Sequence, residues 1–307
     1  MKIATTTGDF ARYCRNDEER IRELHRAGFR CIDLSMYTFK PKSEYMQEGW
    51  RDAVYRIKNL AEELEMTFVQ AHSQGGNALS EDPLHVDFLM KATERSFEIC
   101  EILGIKNTVV HSGHAAGIGK EEWFDKNKLF YEKLLPKAED CGVNILCENS
   151  TKSNMGGRYF INTGSDMKEF IDYVGHPFFH GCWDTGHANC EGAQYDEIMA
   201  LGKELYAIHY NDNHGQKDDH IAPFLGRLNH DEVMNALIDV DFGGYFTLEC
   251  DASLVTYELW TGHRRHYEHP TRKNRLSEPQ LFMQRHIEAM MYESAEWILS
   301  SYGLLEK

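Results

Sequence analysis

Among eight cysteines the sequence holds no Cys-x-x-Cys pair, and several of them (Cys100, Cys147, Cys182) sit inside apolar runs. That spacing argues against a structural zinc site built on cysteine and reads as reduced core thiols, so a cytoplasmic location is expected. No apolar run approaches the ~20 residues of a membrane span. Met1-Lys2-Ile3-Ala4 leads straight into a strand pattern with no leader, so no membrane is expected as a partner. Positive charge is scarce: 33 Lys and Arg stand against 49 Asp and Glu, a net −16. A surface so acidic repels phosphodiester backbones, and no nucleic-acid partner is expected. No G-x-G-x-x-G follows the first strand, which removes the main support for an open dinucleotide-binding sheet.

What is present is an alternation. Strand patterns at Lys2–Thr6, Cys31–Leu34, Thr67–His72, Thr108–His111, Val143–Glu148, the run from His176 to Asp184, Leu205–Tyr210 and Tyr245–Glu249 are separated by helical patterns. Those helical patterns cover Asp17–Ala27, Asp52–Glu65, His85–Leu103, Glu121–Cys141, Asp166–Val174, Tyr195–Leu201 and Asp231–Ile238, with apolar residues such as Val54, Ile57, Leu60, Ala61 and Leu64 on one face. Strands alternating with helices require a parallel sheet, and eight such units predict a closed (β/α)₈ TIM barrel. No linker or change of composition divides the chain, so 1–307 is expected to be one barrel domain. Residues 251–307 form a C-terminal extension within it, an irregular loop and a closing helix over Pro279–Tyr302.

The third to eighth strands run out at His72, His111, Glu148, Asp184, His209 and Glu249. In a barrel those ends meet at one mouth. Singly, each has a plain explanation: a rim histidine, a carboxylate paired with an arginine, or an Asp184 that caps the next helix and leaves His187 in solvent. Together they do not, because several carboxylates gathered in low dielectric need a cation. In the segment Trp183-Asp184-Thr185-Gly186-His187, a turn at Gly186 is expected to set Asp184 and His187 side by side. Glu148, Asp184, His209 and Glu249 make a hard, mostly oxygen donor set suited to one Mn²⁺, Mg²⁺ or Co²⁺, or to Zn²⁺ if more histidines join.

The motifs Cys147-Glu148-Asn149, Trp183-Asp184-Thr185-Gly186-His187, His209-Tyr210-Asn211-Asp212 and Leu248-Glu249-Cys250 resemble those of the xylose isomerase-like barrels. That superfamily includes sugar and sugar-phosphate isomerases and epimerases together with apurinic endonucleases. The resemblance covers about residues 1–250. It implies that Glu148, Asp184, His209 and Glu249 hold one divalent metal and that Glu148 and Glu249 exchange a proton beside a sugar carbonyl through a metal-stabilised enediolate. The substrate would be a small carbohydrate, with His72, His111, His187, Asp218 and His220 as its contacts. The endonuclease branch implies an alternative, a multi-zinc phosphoester hydrolase. Its additional ligands would correspond to His72, His111 and His187 and to Asp218 and His220 of Asp218-Asp219-His220.

A basic segment, Gly262 to Arg275 with Arg264, Arg265, Arg272, Lys273 and Arg275, departs from the pattern of that superfamily. It is expected to be a solvated loop, with three functional alternatives: covering the mouth, binding a substrate phosphate, or meeting the acidic face of a second copy in a homo-oligomer. Gly226-Arg227 and Gly243-Gly244 are weak candidates for a phosphate cradle.

Overall fold

The structure, a computed structural model, describes residues 1–257, 264–265 and 267–306. Eight parallel strands lie in the order β7-β6-β5-β4-β3-β2-β1-β8. They are β1 (Ile3–Thr6), β2 (Cys31–Ser35), β3 (Thr67–His72), β4 (Asn107–Val109), β5 (Asn144–Glu148), β6 (Phe179–Asp184), β7 (Leu205–His209) and β8 (Phe246–Leu248). The helices between them are α1 (Asp17–Ala27), α2 (Trp50–Glu63), α3 (Pro83–Leu103), α4 (Lys120–Cys141), α5 (Gly164–Val174), α6 (Thr185–Asn189), α7 (Tyr195–Leu201) and α8 (His230–Asp239), with α9 (Leu281–Ser301) last. The barrel is nearly closed. The seam between β7 and β8 is one parallel bridge, Tyr210 to Leu248, in which Tyr210 N–H donates to Thr247 O at 2.7 Å and Glu249 N–H to Tyr210 O at 3.2 Å. The expected (β/α)₈ TIM architecture is therefore the observed one, with several strands trimmed at their ends, two of them short of an expected site residue. β4 stops two residues before His111, and β8 stops one residue before Glu249.

Alternation along the strands decides which side chains enter the barrel. Val109, Leu146, Cys182 and Ala207 pack together as one cluster, and the residues two further on are His111, Glu148, Asp184 and His209. Two register shifts make this work. Between Cys182 and Gly181 of β6, β7 inserts Tyr206 as an extra, exposed residue. Leu205 therefore joins the outer core while Ala207 and His209 turn inward. Between Ile32 and Asp33 of β2, β3 inserts Val69, after which Gln70 and His72 face the interior. Bulges of this kind re-aim every side chain beyond them.

The outer core lies between strands and helices, where Trp123, Tyr131, Phe170 and Phe179 are fully buried rings with Tyr131 and Phe179 centroids 4.6 Å apart. Burying each such ring contributes a few kcal/mol, and this cluster backs β5 and β6, the strands that carry Glu148 and Asp184. Tyr131 also holds the segment after β4: its hydroxyl donates to Val110 O at 2.8 Å, and Val110 N–H donates to Leu146 O at 3.0 Å. His111 is thus fixed without being in a strand. The last helix, α9, docks on α1 through Arg285, whose guanidinium donates to both carboxylate oxygens of Glu23 at 2.6 and 2.8 Å. None of the described helices is long and apolar enough to cross a membrane.

Candidate active site

At the mouth, one ligand atom from each of Glu148, Asp184, His209 and Glu249 lies within 4.8 Å of the others. His209 is the hub: its Nδ1 is 2.5 Å from Glu148 Oε1 and 3.2 Å from Glu249 Oε2. His209 and Asp184 are fully buried and Glu148 nearly so. Burial favours the protonated form of each carboxyl, but the outcome differs between the two glutamates. For Glu148, the charges and hydrogen bonds of His209 and His111 outweigh burial and hold the carboxyl well below its usual range. For Glu249, burial wins, aided by the neighbouring Glu148 and Asp184 charges, and the carboxyl is raised to about 8. Two carboxyls on one imidazole are thereby pushed toward opposite protonation states.

Two further donor groups flank the first, and each shares a carboxylate with it. His72 and His111 meet at Glu148: the two Nε2 atoms are 3.1 Å apart and His111 Nε2 is 2.8 Å from Glu148 Oε2. His72 Nδ1 lies 3.0 Å from Ser73 O, which makes Nδ1 its donor and turns the lone pair of Nε2 to the mouth. Burial and the neighbouring His111 push His72 down to about 3, so it stays neutral. On the other side His187 and His220 gather at Asp184. Asp218 sits between these two rings, with Oδ2 2.8 Å from His187 Nε2 and Oδ1 3.1 Å from His220 Nε2. Burial alone would lower His187, but the charges of Asp184 and Asp218 carry it up to about 10. All nine expected site residues therefore share one continuous mouth.

The expected side-by-side placement of Asp184 and His187 has a different local cause. Residues 185–189 form the short helix α6, and Asp184 caps it by accepting the His187 N–H at 2.6 Å. The two side chains are 3.7 Å apart, and His187 is buried, its Nδ1 donating to Asn149 O at 2.7 Å. Asp184 thus caps a helix and also faces the mouth.

Further contributors stand beside the nine expected residues, and three of them, Asn149, Asn211 and Asp212, lie inside the motifs that carry the family resemblance. Asn149 ties β5 to β6 by exchanging bonds with Asp184, accepting its N–H at 2.7 Å and donating to its carbonyl at 2.9 Å. Asn211 donates to Asp184 Oδ2 at 2.7 Å. Asp212 accepts the N–H groups of Gly226 and Leu228, which pins the loop carrying Asp218 and His220. Asp33 reaches His209 from below, and the neutral thiol of Cys182 stands near both His209 and Glu148. Tyr37 roofs His72 and His111, with ring centroids 5.0 and 5.6 Å away, and lies where a β-carbon on Gly75 would come within 2.3 Å of it.

Neither glycine pair cradles a phosphate. The Gly226 N–H is taken by Asp212, and Gly243-Gly244 precede β8, at the opposite end of the barrel from the mouth. Of the basic segment, Gly262, His263 and His266 lie outside the described residues. Arg264 donates to the carbonyls of Leu276 and Ser277, and Arg275 pairs with Glu268. A cleft of about 910 Å³ between Arg12, Tyr257, Arg275 and Leu281 contains none of the expected site residues. The donor chemistry, not cavity size, marks the mouth as the site.

A D-psicose 3-epimerase from Clostridium cellulolyticum H10, solved with D-tagatose, superposes with a TM-score of 0.72 at 16% identity, covering 97% of this chain and 99% of that one. An IOLI protein solved with a bound zinc atom superposes with a TM-score of 0.71 at 15% identity over 98% and 97% of the two chains. At such identities the likeness is one of fold. An uncharacterised protein of Methanocaldococcus jannaschii is 27% identical over 172 residues, 54% of this chain and 56% of that protein. The chain spans about half the length of the curated relatives it matches. The family description "xylose isomerase-like TIM barrel" matches residues 21–271, and with that match the chain belongs to the xylose isomerase-like TIM barrel family.

Proposed function

We propose that this chain is a divalent-metal-dependent isomerase or epimerase acting on a sugar or sugar phosphate. One observation carries the reading: the Glu148 and Glu249 carboxyls both meet Nδ1 of His209, at 2.5 and 3.2 Å, so two carboxyl groups converge on one centre. Two carboxyl groups at one centre can share the task of moving a proton between carbons, one taking it and the other returning it. The donor set also fits a hard cation, because three carboxylates crowded within 4.8 Å need positive charge between them. Glu148, Asp184, His209 and Glu249 would hold that Mn²⁺, Mg²⁺, Co²⁺ or Zn²⁺ ion, which supplies Lewis-acid polarisation of the substrate carbonyl when bound.

The chain's own groups then divide the work. Ionised Glu148 removes the proton beside the carbonyl. Glu249 donates one to the opposite face for epimerisation, or to the adjoining carbon for isomerisation. Neutral His72 accepts a substrate hydroxyl at Nε2, and cationic His220 donates to another while Asp218 holds its ring and that of His187, whose two N–H groups are taken by Asp218 and Asn149 O. Likeness in fold to a D-psicose 3-epimerase supports a ketose as the substrate class. Incubation with ketoses and their phosphates in heavy water tests the reading, and deuterium should appear at the carbon beside the carbonyl. Cleavage of abasic DNA with no exchange in any sugar would refute it.

One observation favours a second reading, a multi-zinc phosphoester hydrolase. The three donor groups are linked by shared carboxylates, Glu148 between the central group and His72–His111 and Asp184 between the central group and His187–His220, a pattern suited to bridged metal ions. Against a nucleic-acid substrate stands the net charge of −16.

A further inference from the structure

We propose that Asp33 is a positioning residue that fixes the His209 imidazole so that its Nδ1 is presented to a metal ion. The inference rests on reading His209 as a ligand and assigns the residue that orients it. Asp33 lies on β2 two residues after Cys31 and is fully buried in the barrel. Its Oδ2 is 3.5 Å from His209 Nε2, and the same oxygen accepts a hydrogen bond from Gln70 Nε2 at 3.1 Å. Gln70 is in turn anchored from β8, accepting the Thr247 hydroxyl at 3.3 Å. The β3 bulge at Val69 is what turns Gln70 inward to make this chain of contacts.

The two faces of the His209 ring therefore meet different things. Nδ1 looks into the carboxylates of Glu148 and Glu249, while Nε2 looks down at Asp33. A neutral imidazole has one N–H and one lone pair. Asp33 Oδ2 faces Nε2 at 3.5 Å, an ion-pair distance, and an N–H on that side of the ring leaves the lone pair on Nδ1, the nitrogen at the mouth. Carboxylate partners of this kind orient metal-bound histidines and raise their basicity. The other polar neighbour of the ring, Cys182, is a neutral thiol and supplies no comparable charge. A plain structural role leaves Asp33 poorly explained, since its Oδ1 is buried with no hydrogen-bond partner among the described residues.

The test is titration of metal-stripped protein with Co²⁺, followed by the visible absorption of the bound ion, in the native chain and in Asp33→Asn. The variant should bind Co²⁺ about 10- to 100-fold more weakly. Its metal-free melting temperature should stay close to native, because the asparagine keeps the shape of the side chain and an oxygen that can accept from Gln70 Nε2. A variant that melts lower without metal yet binds Co²⁺ within about twofold of native overturns the role while leaving the metal reading intact. Native protein that takes up no Co²⁺ overturns the metal reading and the role together. Should Asp33→Asn fail to melt cooperatively, Gln70→Leu replaces it, keeping the carboxylate but removing its donor. Weakening of about threefold or more then supports the role, and unchanged binding overturns it.

Discussion

Gly186 and Asn211 approach so closely that a β-carbon on residue 186 would lie 1.8 Å from Asn211 Oδ1. The glycine of the Asp184-Thr185-Gly186-His187 motif is there for the neighbouring strand. Asn211 follows β7 and donates to Asp184 Oδ2, so anything that displaces it also releases a mouth carboxylate. Gly186→Ala should cost about 1–3 kcal/mol of stability through overpacking. It should also reduce metal retention on dialysis, because Asp184 loses the contact that aims it. Thermal melting with metal analysis checks both effects. A variant with a native melting temperature and full metal content would show that Asn211 moves aside freely.

Asp212 holds the loop that delivers Asp218 and His220. Its carboxylate oxygens accept from Gly226 N at 2.9 Å and from Leu228 N at 2.8 Å, and the side chain is fully buried. Asp212→Ala leaves those N–H groups without acceptors and should destabilise the protein by roughly 2–4 kcal/mol. Amide exchange at Gly226 and Leu228 should accelerate well beyond that of the barrel strands. If exchange there stays at the native rate, the loop is held by other contacts.

Four strand ends, His72, Glu148, Asp184 and His209, were legible because an apolar run that stops at an ionisable residue is visible along the chain itself, while His111 and Glu249 lie just past their strands. Their convergence was legible too, since eight alternating units allow few other architectures. What could not be read were features that depend on neighbours distant in sequence. Tyr206 and Val69 look like ordinary strand residues, and only pairing with β6 and β2 makes each an extra residue that turns His209 and His72 inward. Helix α6 has five residues, too short for any period to show. Asp33 reads as one polar residue in a buried strand, and its meaning comes from a ring on β7. Asn149 and Asn211 stand inside the motifs that resemble the family, but their task shows only in space, because what they hold is Asp184, on another strand.

A second buried carboxyl pair lies away from the nine site residues and predicts a pH dependence of stability. Asp9 and Glu288 hydrogen-bond each other where α9 meets the segment after β1. Burial, with the nearby Asp251 charge, raises Asp9 to about 7 from an ordinary 3.8. The folded chain therefore binds more protons than the unfolded chain between about pH 4 and pH 7, and this contribution to stability is lost as pH rises through that window. Asp9→Asn should remove the loss. Relative to native, the variant should gain on the order of 2–4 kcal/mol on going from pH 4 to pH 8. Melting curves of both proteins across that range decide it, and parallel pH profiles would contradict the shared proton.

The number of bound ions separates the proposed isomerase from a multi-zinc hydrolase, and His220 is where the two readings diverge. Its Nε2 faces Asp218 Oδ1 at 3.1 Å and its Nδ1 lies 3.7 Å from Glu249 Oε2, so it touches both the flanking group and the central one. An isomerase needs one Lewis acid and glutamates free to carry protons, whereas a bridged cluster would engage Glu148 and Asp184 as shared ligands. For the isomerase, native protein should hold one tight ion per chain. His220→Ala should keep that ion while weakening substrate binding about 10-fold or more, since a charged donor to the substrate is lost. For the hydrolase, native protein should hold about three ions, and the same substitution should remove one of them with most of the activity. Metal analysis of native and His220→Ala protein after exhaustive dialysis, with Asp184→Asn as the reference that should empty the central site, distinguishes these outcomes. A native content near three that falls with His220→Ala would overturn the isomerase assignment.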